Sequence, residues 1–109
     1  MEAEFLARLW LRLSGWRILA SSYAAQGGEI DLVARRGELV IFVEVKARSE
    51  RDLALLAIDG TKVQRISKAA RHWLIHHPSH QGCSFRGDAV LMVPWRWPER
   101  VSGAFELNL

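Results

Sequence analysis

The sequence predicts one domain of mixed α/β (α+β) structure, with a mixed central sheet of about five strands flanked by helices. The chain has 109 residues, which suffice for one modest hydrophobic core and are too few for two. Half of the residues are hydrophobic, as in ordinary globular proteins. Segments typical of strands alternate with segments of helical spacing, in the order helix, three strands, helix, two strands. We therefore expect residues 1–109 to form a single domain.

The composition indicates where in the cell the protein is expected and what charge its partner carries. The longest apolar run is far below the roughly 18 residues needed to cross a bilayer, so we expect no membrane span. The first residues carry acid where a secretory signal carries base, so we expect no export signal. The single cysteine, Cys83, cannot form an internal disulfide, and a reducing cytoplasm is the simpler setting. Lys and Arg outnumber Asp and Glu by 15 to 12, a weak indication of an anionic partner.

The first predicted element is an amphipathic helix over residues 2–14, which ends near Gly15. Its apolar stripe consists of Phe5, Leu6, Leu9, Trp10 and Leu13. Glu4 lies in the first turn, and a solvated acid that favours the helix N-terminus is a sufficient interpretation of it from composition alone. Residues 16–23 are then typical of an edge strand, and residues 24–28 of a turn.

Two further strands lie between Gly27 and Arg48, joined by a tight turn. The second strand is apolar from Leu39 to Val43, which is typical of a central strand covered on both faces. At its end come Glu44 and Lys46, which are two residues apart and therefore share a face. On the partner strand Glu29 and Asp31 have the same spacing.

The turn length decides whether these charges meet. Faces alternate along each strand, so Asp31 and Glu44 share a face only if an even number of residues connects the strands. A two-residue turn at Arg36 and Gly37, or a four-residue loop over 35–38, satisfies this condition. A three-residue loop would place the two carboxylates on opposite faces.

The remaining elements follow in order. Residues 49–58 give no clear assignment, and a mobile loop is one interpretation. A helix is predicted from residue 59 or 60 to 77, where Pro78 ends it. Its apolar stripe consists of Val63, Ile66, Ala69, Ala70, Trp73 and Leu74. A loop over 79–84, a strand over 85–93 and a last edge strand over 100–107 complete the chain.

Two surface features leave alternatives open. The basic side of the second helix, with Arg65 and Lys68, is either a solvated face or a contact for an anionic partner. Trp95 and Trp97 lie in a turn and could stack on bases. Covering a sheet edge is the commoner role for such residues, and we expect it here.

Clustered acids need compensation. Two unit charges about 4 Å apart, at an effective dielectric near 20, interact by about 4 kcal/mol. In a purely structural interpretation Glu44 pairs with Lys46 and Glu29 pairs with an arginine. Alternatively a divalent cation neutralises the acids, and carboxylates suit Mg²⁺ or Mn²⁺ rather than zinc. Two acids and a lysine around such a cation suit phosphodiester hydrolysis, because they stabilise the charge that develops at phosphate.

An acid followed some ten to twenty residues later by Glu-x-Lys on a buried strand is similar to the PD-(D/E)XK nuclease superfamily. The segments Gly28-Glu29-Ile30-Asp31-Leu32-Val33 and Phe42-Val43-Glu44-Val45-Lys46-Ala47-Arg48 resemble the YraN-like family of uncharacterised bacterial proteins. That family is grouped with the Holliday-junction resolvases by predicted fold. The resemblance covers nearly the whole chain and implies a restriction-endonuclease-like domain. It departs from the family pattern at Ala3, where a glycine is usual, and at Gly87, where the late strand usually has phenylalanine.

The resemblance also implies roles. Asp31 and Glu44 would bind Mg²⁺ or Mn²⁺, with the Val45 carbonyl as a candidate additional ligand, and Lys46 would be the catalytic lysine. Auxiliary candidates are Glu29, Glu4 on the first helix and Gln64 on the second. The expected phosphate contacts are Arg35, Arg36, Arg48, Arg65 and Lys68.

The expected function is hydrolysis of DNA, particularly branched or otherwise structured DNA. A nucleic-acid-binding module that does not cut is the first alternative. The second is an interaction protein that dimerises through its tryptophan-rich segment. A homodimer also fits the nuclease, because two-fold junctions suit two active sites.

Overall fold

A five-stranded mixed sheet forms the centre of the molecule, in the computed structural model, which describes residues 2–109. The strands are β1 (Arg17–Ala25), β2 (Gly28–Arg36), β3 (Leu39–Ala47), β4 (Ser84–Met92) and β5 (Glu99–Phe105). Their spatial order is their order in the chain. Strands β3 and β4 are parallel, and the other neighbouring pairs are antiparallel. This is the mixed α+β architecture that the sequence predicts, and it is compatible with a nuclease-like single domain.

Three α-helices flank the sheet: α1 (Ala3–Leu13), α2 (Arg51–Leu56) and α3 (Gly60–His76). A short 3₁₀ turn, Pro78–His80, follows α3. Parallel strands need a long crossover, and α2 and α3 provide it between β3 and β4. The Asp59 side chain caps α3 by accepting a hydrogen bond from the Lys62 amide at 2.9 Å. No helix within residues 2–109 is long and apolar enough to cross a membrane.

Each face of the sheet carries its own apolar cluster. On one face Val33 and Phe42 pack against Ile66, Ala69 and Trp73 of α3. On the other face Leu32, Ile41 and Val43 pack against Ala7 and Leu11 of α1. As predicted, the apolar run in β3 reflects a central strand whose residues are buried on both faces of the sheet.

The buried stripe of α1 differs from the prediction. The helix buries Ala7 and Leu11, whereas Phe5, Leu9 and Leu13 of the predicted stripe are exposed. The small Ala7 allows the helix to lie close to the sheet, so the inward face is centred on it. The larger apolar residues at i+4 spacing then fall on the outer side.

The turn between β2 and β3 also differs in detail. Arg36 pairs with Leu39, so the two-residue turn is Gly37-Glu38 rather than Arg36-Gly37. The even length was correct and the position was wrong by one residue. The positive φ of Gly37, 60°, explains the shift, because the turn places glycine at its first central residue.

Three other segments depart from expectation. The unassigned residues 49–58 contain the short helix α2. Trp95 is fully exposed, so it does not cover a sheet edge as expected. At Gly87, a Cβ atom would lie 2.5 Å from the Phe105 ring. Phe105 thus fills from β5 the space beside Gly87, which leaves no room for a larger residue there.

Candidate functional site

Both β1 and β2 depart from regular alternation where Asp31 lies. Tyr23 pairs with Ile30, and both belong to the apolar cluster under α3. Leu32, two residues further along β2, belongs to the opposite cluster under α1. Between these pairs Ser22 has a φ of 49°, in the left-handed region that a strand residue rarely adopts. Asp31 therefore lies at the point where the alternation of β2 breaks.

The Asp31 carboxylate takes the place of a backbone hydrogen-bond acceptor between β2 and β3. Regular pairing of β2 with β3 begins at Leu32 and Val43, and extending this register by one pair brings Asp31 opposite Glu44. Instead of a backbone carbonyl, Oδ2 of Asp31 accepts the hydrogen bond from the Val45 amide, at 2.8 Å. The backbone of β3 thus holds this carboxylate beside Glu44.

Glu44 is a buried acid with two lysine partners. Its side chain is only 2% exposed, and Oε1 lies 3.2 Å from Nζ of Lys46 and 3.5 Å from Nζ of Lys62. A buried carboxylate without a partner would be very unfavourable, and the two ammonium groups supply the compensation. Lys46 reaches it along β3, and Lys62 reaches it from the first turn of α3.

Asp31 holds its proton more tightly than an ordinary aspartate. Burial raises its pKa to about 6, against the lowering effect of the Val45 hydrogen bond. The neighbouring Glu44 carboxylate raises the pKa further, through repulsion and through a hydrogen bond between the two carboxyl groups. Lys62 lowers it by charge attraction. A carboxyl group that ionises near neutral pH beside a second carboxylate is a common feature of catalytic and metal sites.

Sequence comparison identifies the family. The model of the uncharacterised protein family UPF0102 matches residues 3–92. A UPF0102 protein of Methylorubrum extorquens (strain PA1) is 52% identical over 108 residues, which cover 99% of this chain and 84% of the relative. A UPF0102 protein of Methylobacterium nodulans is also 52% identical, over 97% of this chain and 82% of the relative. This chain belongs to the UPF0102 family. The YraN-like resemblance seen in the sequence is thereby confirmed.

In this UPF0102 chain, sequence reasoning missed Lys62 as a site residue. It lies 18 positions after Glu44, on another element, and no motif joins the two. One signal was present: the first turn of α3 contains no acid and carries Lys62 instead. A cation at a helix N-terminus is electrostatically unfavourable, so it suggests an acid nearby in space.

The three auxiliary candidates differ in where they lie relative to the carboxylate pair. Glu29 is exposed between Gly28 and Ile30, which both face α3, so it is on the other side of β2. Glu4 accepts a hydrogen bond from the Ser22 hydroxyl at 2.6 Å, which places it next to the break opposite Asp31. Gln64 is exposed on α3. Of the three, Glu4 has the contact that links it to the site.

The predicted phosphate contacts divide between the two ends of the sheet. Arg48 follows β3 directly, and exposed Arg65 and Lys68 lie on α3, so these three are at the end that carries the carboxylates. Arg35 and Arg36 end β2, four to five residues beyond Asp31 and thus roughly 15 Å away along the strand. The guanidinium of Arg36 also lies 4.2 Å from the centre of the Trp16 ring.

The donor atoms of the site fit a hard cation. Among residues 2–109 no group of three or more His, Cys, Asp and Glu side chains converges as a metal site. The pair of Asp31 and Glu44 supplies only carboxylate oxygens, which Mg²⁺ and Mn²⁺ prefer, and Mg²⁺ is commonly held by one or two carboxylates with water and phosphate. The raised pKa of Asp31 is consistent with such a site, because a bound cation would compensate the repulsion between the acids.

Proposed function

We propose that this UPF0102 protein is a Mg²⁺- or Mn²⁺-dependent nuclease that hydrolyses phosphodiesters of branched or otherwise structured DNA. The observation that carries the proposal is the juxtaposition of Asp31, Glu44 and Lys46 at one end of a buried sheet. Two adjacent carboxylates and a lysine, partly shielded from water, are the groups that metal-assisted phosphoryl chemistry uses.

Each residue has a distinct role in this proposal. Asp31 and Glu44 would hold the divalent cation, which when bound would draw charge from the scissile phosphate. Lys46 contacts Glu44 and is mostly buried, with 15% of its side chain exposed. Its ammonium group would orient the attacking water and stabilise negative charge that develops on phosphate. Lys62 would hold the Glu44 side chain in place, since it contacts the same oxygen as Lys46.

The basic residues at the same end of the sheet suit an extended polyanion. Arg48, Arg65 and Lys68 are exposed and lie at the end of the sheet that carries the carboxylates. Their charges would neutralise phosphates on either side of the scissile bond, and such contacts make binding strongly dependent on salt.

A cleavage assay tests the proposal. Purified protein is incubated with Mn²⁺ or Mg²⁺ and labelled linear, flapped and four-way DNAs, and with EDTA as a blank. We expect cleavage of the structured DNAs, and a loss of about 100-fold or more in Lys46→Ala. The matched control is Arg12→Ala, which removes an exposed cation at the far end of α1. Cleavage that is unchanged in Lys46→Ala would assign the activity to a contaminant and reject the proposal.

A binding module that does not cut is the second candidate. It is favoured by the charge balance of the site, since two lysines already offset the two carboxylates without a cation. This candidate predicts DNA binding that weakens steeply with salt and does not change in Asp31→Asn. It also predicts no product with either metal.

A further inference from the structure

The loop between β4 and β5 presents two tryptophans to solvent. We call residues 93–98 the tryptophan loop. Trp95 is fully exposed, and its φ of 65° is one that a bulky residue rarely adopts. Trp97 stacks on Trp10 of α1, with ring centres 5.8 Å apart and an interplanar angle of 24°, yet it remains 80% exposed. The Trp97 indole is therefore stacked on α1, and the Trp95 indole projects from the loop.

A basic cavity lies beside this loop. It has a volume of about 560 Å³ and is formed by the start of α1, the end of β3 and the loop itself. The residues that line it are Ala3, Leu6, Ala47, Arg48, Ser49, Met92, Val93, Pro94 and Arg96. Two are arginines and no acid is present among the described lining residues. The cavity therefore combines apolar walls with the positive charges of Arg48 and Arg96, of which Arg96 also attracts Glu99 outside the lining.

The cavity and the candidate site share one end of the sheet. Arg48 is two residues beyond Lys46, which corresponds to about 7 Å along an extended chain. Lys46 faces α3, whereas Ala47 and the cavity face α1. A nucleic-acid strand that passes around this edge could contact both, with its phosphates near Lys46 and Arg48 and its bases toward the indoles.

The charge of the loop region distinguishes among occupants. A second copy of the chain or another apolar partner would bury exposed aromatics but would also bury Arg48, which has no acid among the residues that line the cavity. Unpaired nucleotides match both the indoles and the arginines, because every base has a face for stacking and every phosphate has a negative charge. Paired bases would not serve, since their faces are already stacked within the duplex.

From this combination we infer that the tryptophan loop and Arg48 bind unpaired nucleotides next to the scissile phosphate. The inference rests on the proposed nuclease function and names its substrate class as DNA with a single-stranded segment beside the cut. Trp95 would stack on a base, Trp97 would provide a second and more rigid surface, and the two arginines would contact phosphates. Such a device selects flaps and opened junctions over continuous duplex.

Binding without cleavage tests the inference. The probes are a labelled oligothymidine of about 12 nucleotides and a blunt duplex of the same length, both in EDTA so that no product forms. We expect the oligothymidine to bind more tightly than the duplex, and its Kd to rise about tenfold in Trp95→Ala and in Arg48→Ala. The duplex Kd should change little in Trp95→Ala.

Two controls separate other causes. Ile75→Ala removes an exposed apolar side chain near the end of α3, and Arg12→Ala removes an exposed cation near the end of α1. Both should bind oligothymidine as the unaltered protein does. Equal affinity of Trp95→Ala for oligothymidine would overturn the inference. So would light scattering that shows a dimer which Trp95→Ala dissociates, together with no preference for the single strand.

The outcomes also distinguish this inference from the proposed function. If DNA is cut in a Lys46-dependent manner while Trp95→Ala binds oligothymidine normally, the nuclease stands and the loop inference fails. If Trp95→Ala loses oligothymidine binding but no DNA is cut with either metal, the loop binds single strands and the nuclease proposal fails.

Discussion

At the scale of single residues, the charge balance around Glu44 governs the chemistry of the site. Two lysines contact one of its oxygens, and the carboxylate of Asp31 lies beside it. Burial, together with repulsion from Glu44, raises the pKa of Asp31 to about 6. A group with a raised acidic pKa binds its proton more tightly in the folded state, so its ionisation opposes folding.

This yields a prediction for Asp31→Asn in the metal-free protein. Ionised Asp31 lowers the stability of the fold as pH rises from about 4 through the folded pKa of about 6, and the full effect is present at pH 7.5. Asparagine keeps an oxygen for the Val45 amide and has no charge. We therefore expect Asp31→Asn to raise the free energy of unfolding by about 1 kcal/mol at pH 7.5 and to leave it unchanged near pH 4, after allowance for partial solvent exposure.

Urea unfolding in EDTA at both pH values measures this difference. The matched control is Asp52→Asn. The Asp52 side chain is 89% exposed, and its ion pair with Arg51 is long, at 3.8 Å, so little stability depends on its charge. It should change stability by no more than a few tenths of a kcal/mol at either pH. Equal destabilisation of Asp31→Asn at both pH values would show that its hydrogen bond, and not its charge, dominates.

Residue types and spacing were sufficient to predict Asp31, Glu44 and Lys46 as a group. Glu44 and Lys46 share a strand, and Asp31 is related to them by one hairpin, so parity of the turn decides whether they meet. Glu29 was misplaced because alternation fails at the break beside Asp31, and a φ of 49° at Ser22 leaves no trace in the sequence. Lys62 was missed because its contact depends on how α3 packs.

At the scale of elements, the packing of α3 on β2 sets the position of Lys62. Gly28 makes this contact possible, because a Cβ atom there would lie 2.0 Å from the Arg65 carbonyl oxygen. Backbone atoms of the helix and the strand thus touch directly. The glycine pair Gly27-Gly28 looked like an ordinary turn in the sequence, and only Gly27 serves that purpose, with a φ of 75°.

We predict that Gly28→Ala is severely destabilising. The added methyl group would collide with backbone rather than with a flexible side chain, so α3 must move away from β2. The loss in the free energy of unfolding should be about 3 kcal/mol or more, and a variant that does not fold at all would be the extreme of the same effect. Thermal and urea unfolding measure it.

Gly60→Ala is the control on the same helix. A Cβ atom at Gly60 would meet nothing within 4 Å, and its φ is not in the left-handed region. Replacement of glycine by alanine in a compatible conformation stabilises by about 0.4–1 kcal/mol, so we expect a small gain. If Gly28→Ala were as stable as Gly60→Ala, the backbones of α3 and β2 would not lie as close together at Gly28 as described.

The elements that periodicity predicts best are those with one clearly buried stripe. The stripe of α3 and the apolar run of β3 agree with the structure, because both are buried against large partners. In α1 the buried position is the small Ala7, and hydrophobicity alone favours the larger exposed residues. The six residues of α2 are too few to show a helical period.

At the scale of the whole molecule, the two ends of the sheet carry different groups of arginines and lysines. The carboxylate end has Arg48, Arg65 and Lys68, and the far end has Arg35 and Arg36. Arg36 stabilises the fold, since its guanidinium donates a hydrogen bond to the Ser14 carbonyl at 3.0 Å and lies over the Trp16 ring. Arg65 is exposed, and its guanidinium makes no hydrogen bond or ion pair with any of residues 2–109. The same residue type should therefore have different roles at the two ends.

We accordingly predict that Arg36→Ala changes the stability of the fold and that Arg65→Ala changes the salt dependence of DNA binding. Loss of the Arg36 contacts should lower the free energy of unfolding by about 1 kcal/mol, because a hydrogen bond and a cation–π contact are removed. Arg65→Ala should leave stability unchanged and reduce the slope of log K against log salt by about 1, the effect of one lost phosphate contact. Urea unfolding and a salt titration of binding to a four-way DNA measure the two quantities. If Arg36→Ala reduced the salt slope as much as Arg65→Ala, DNA would have to extend along the molecule to the far end of the sheet.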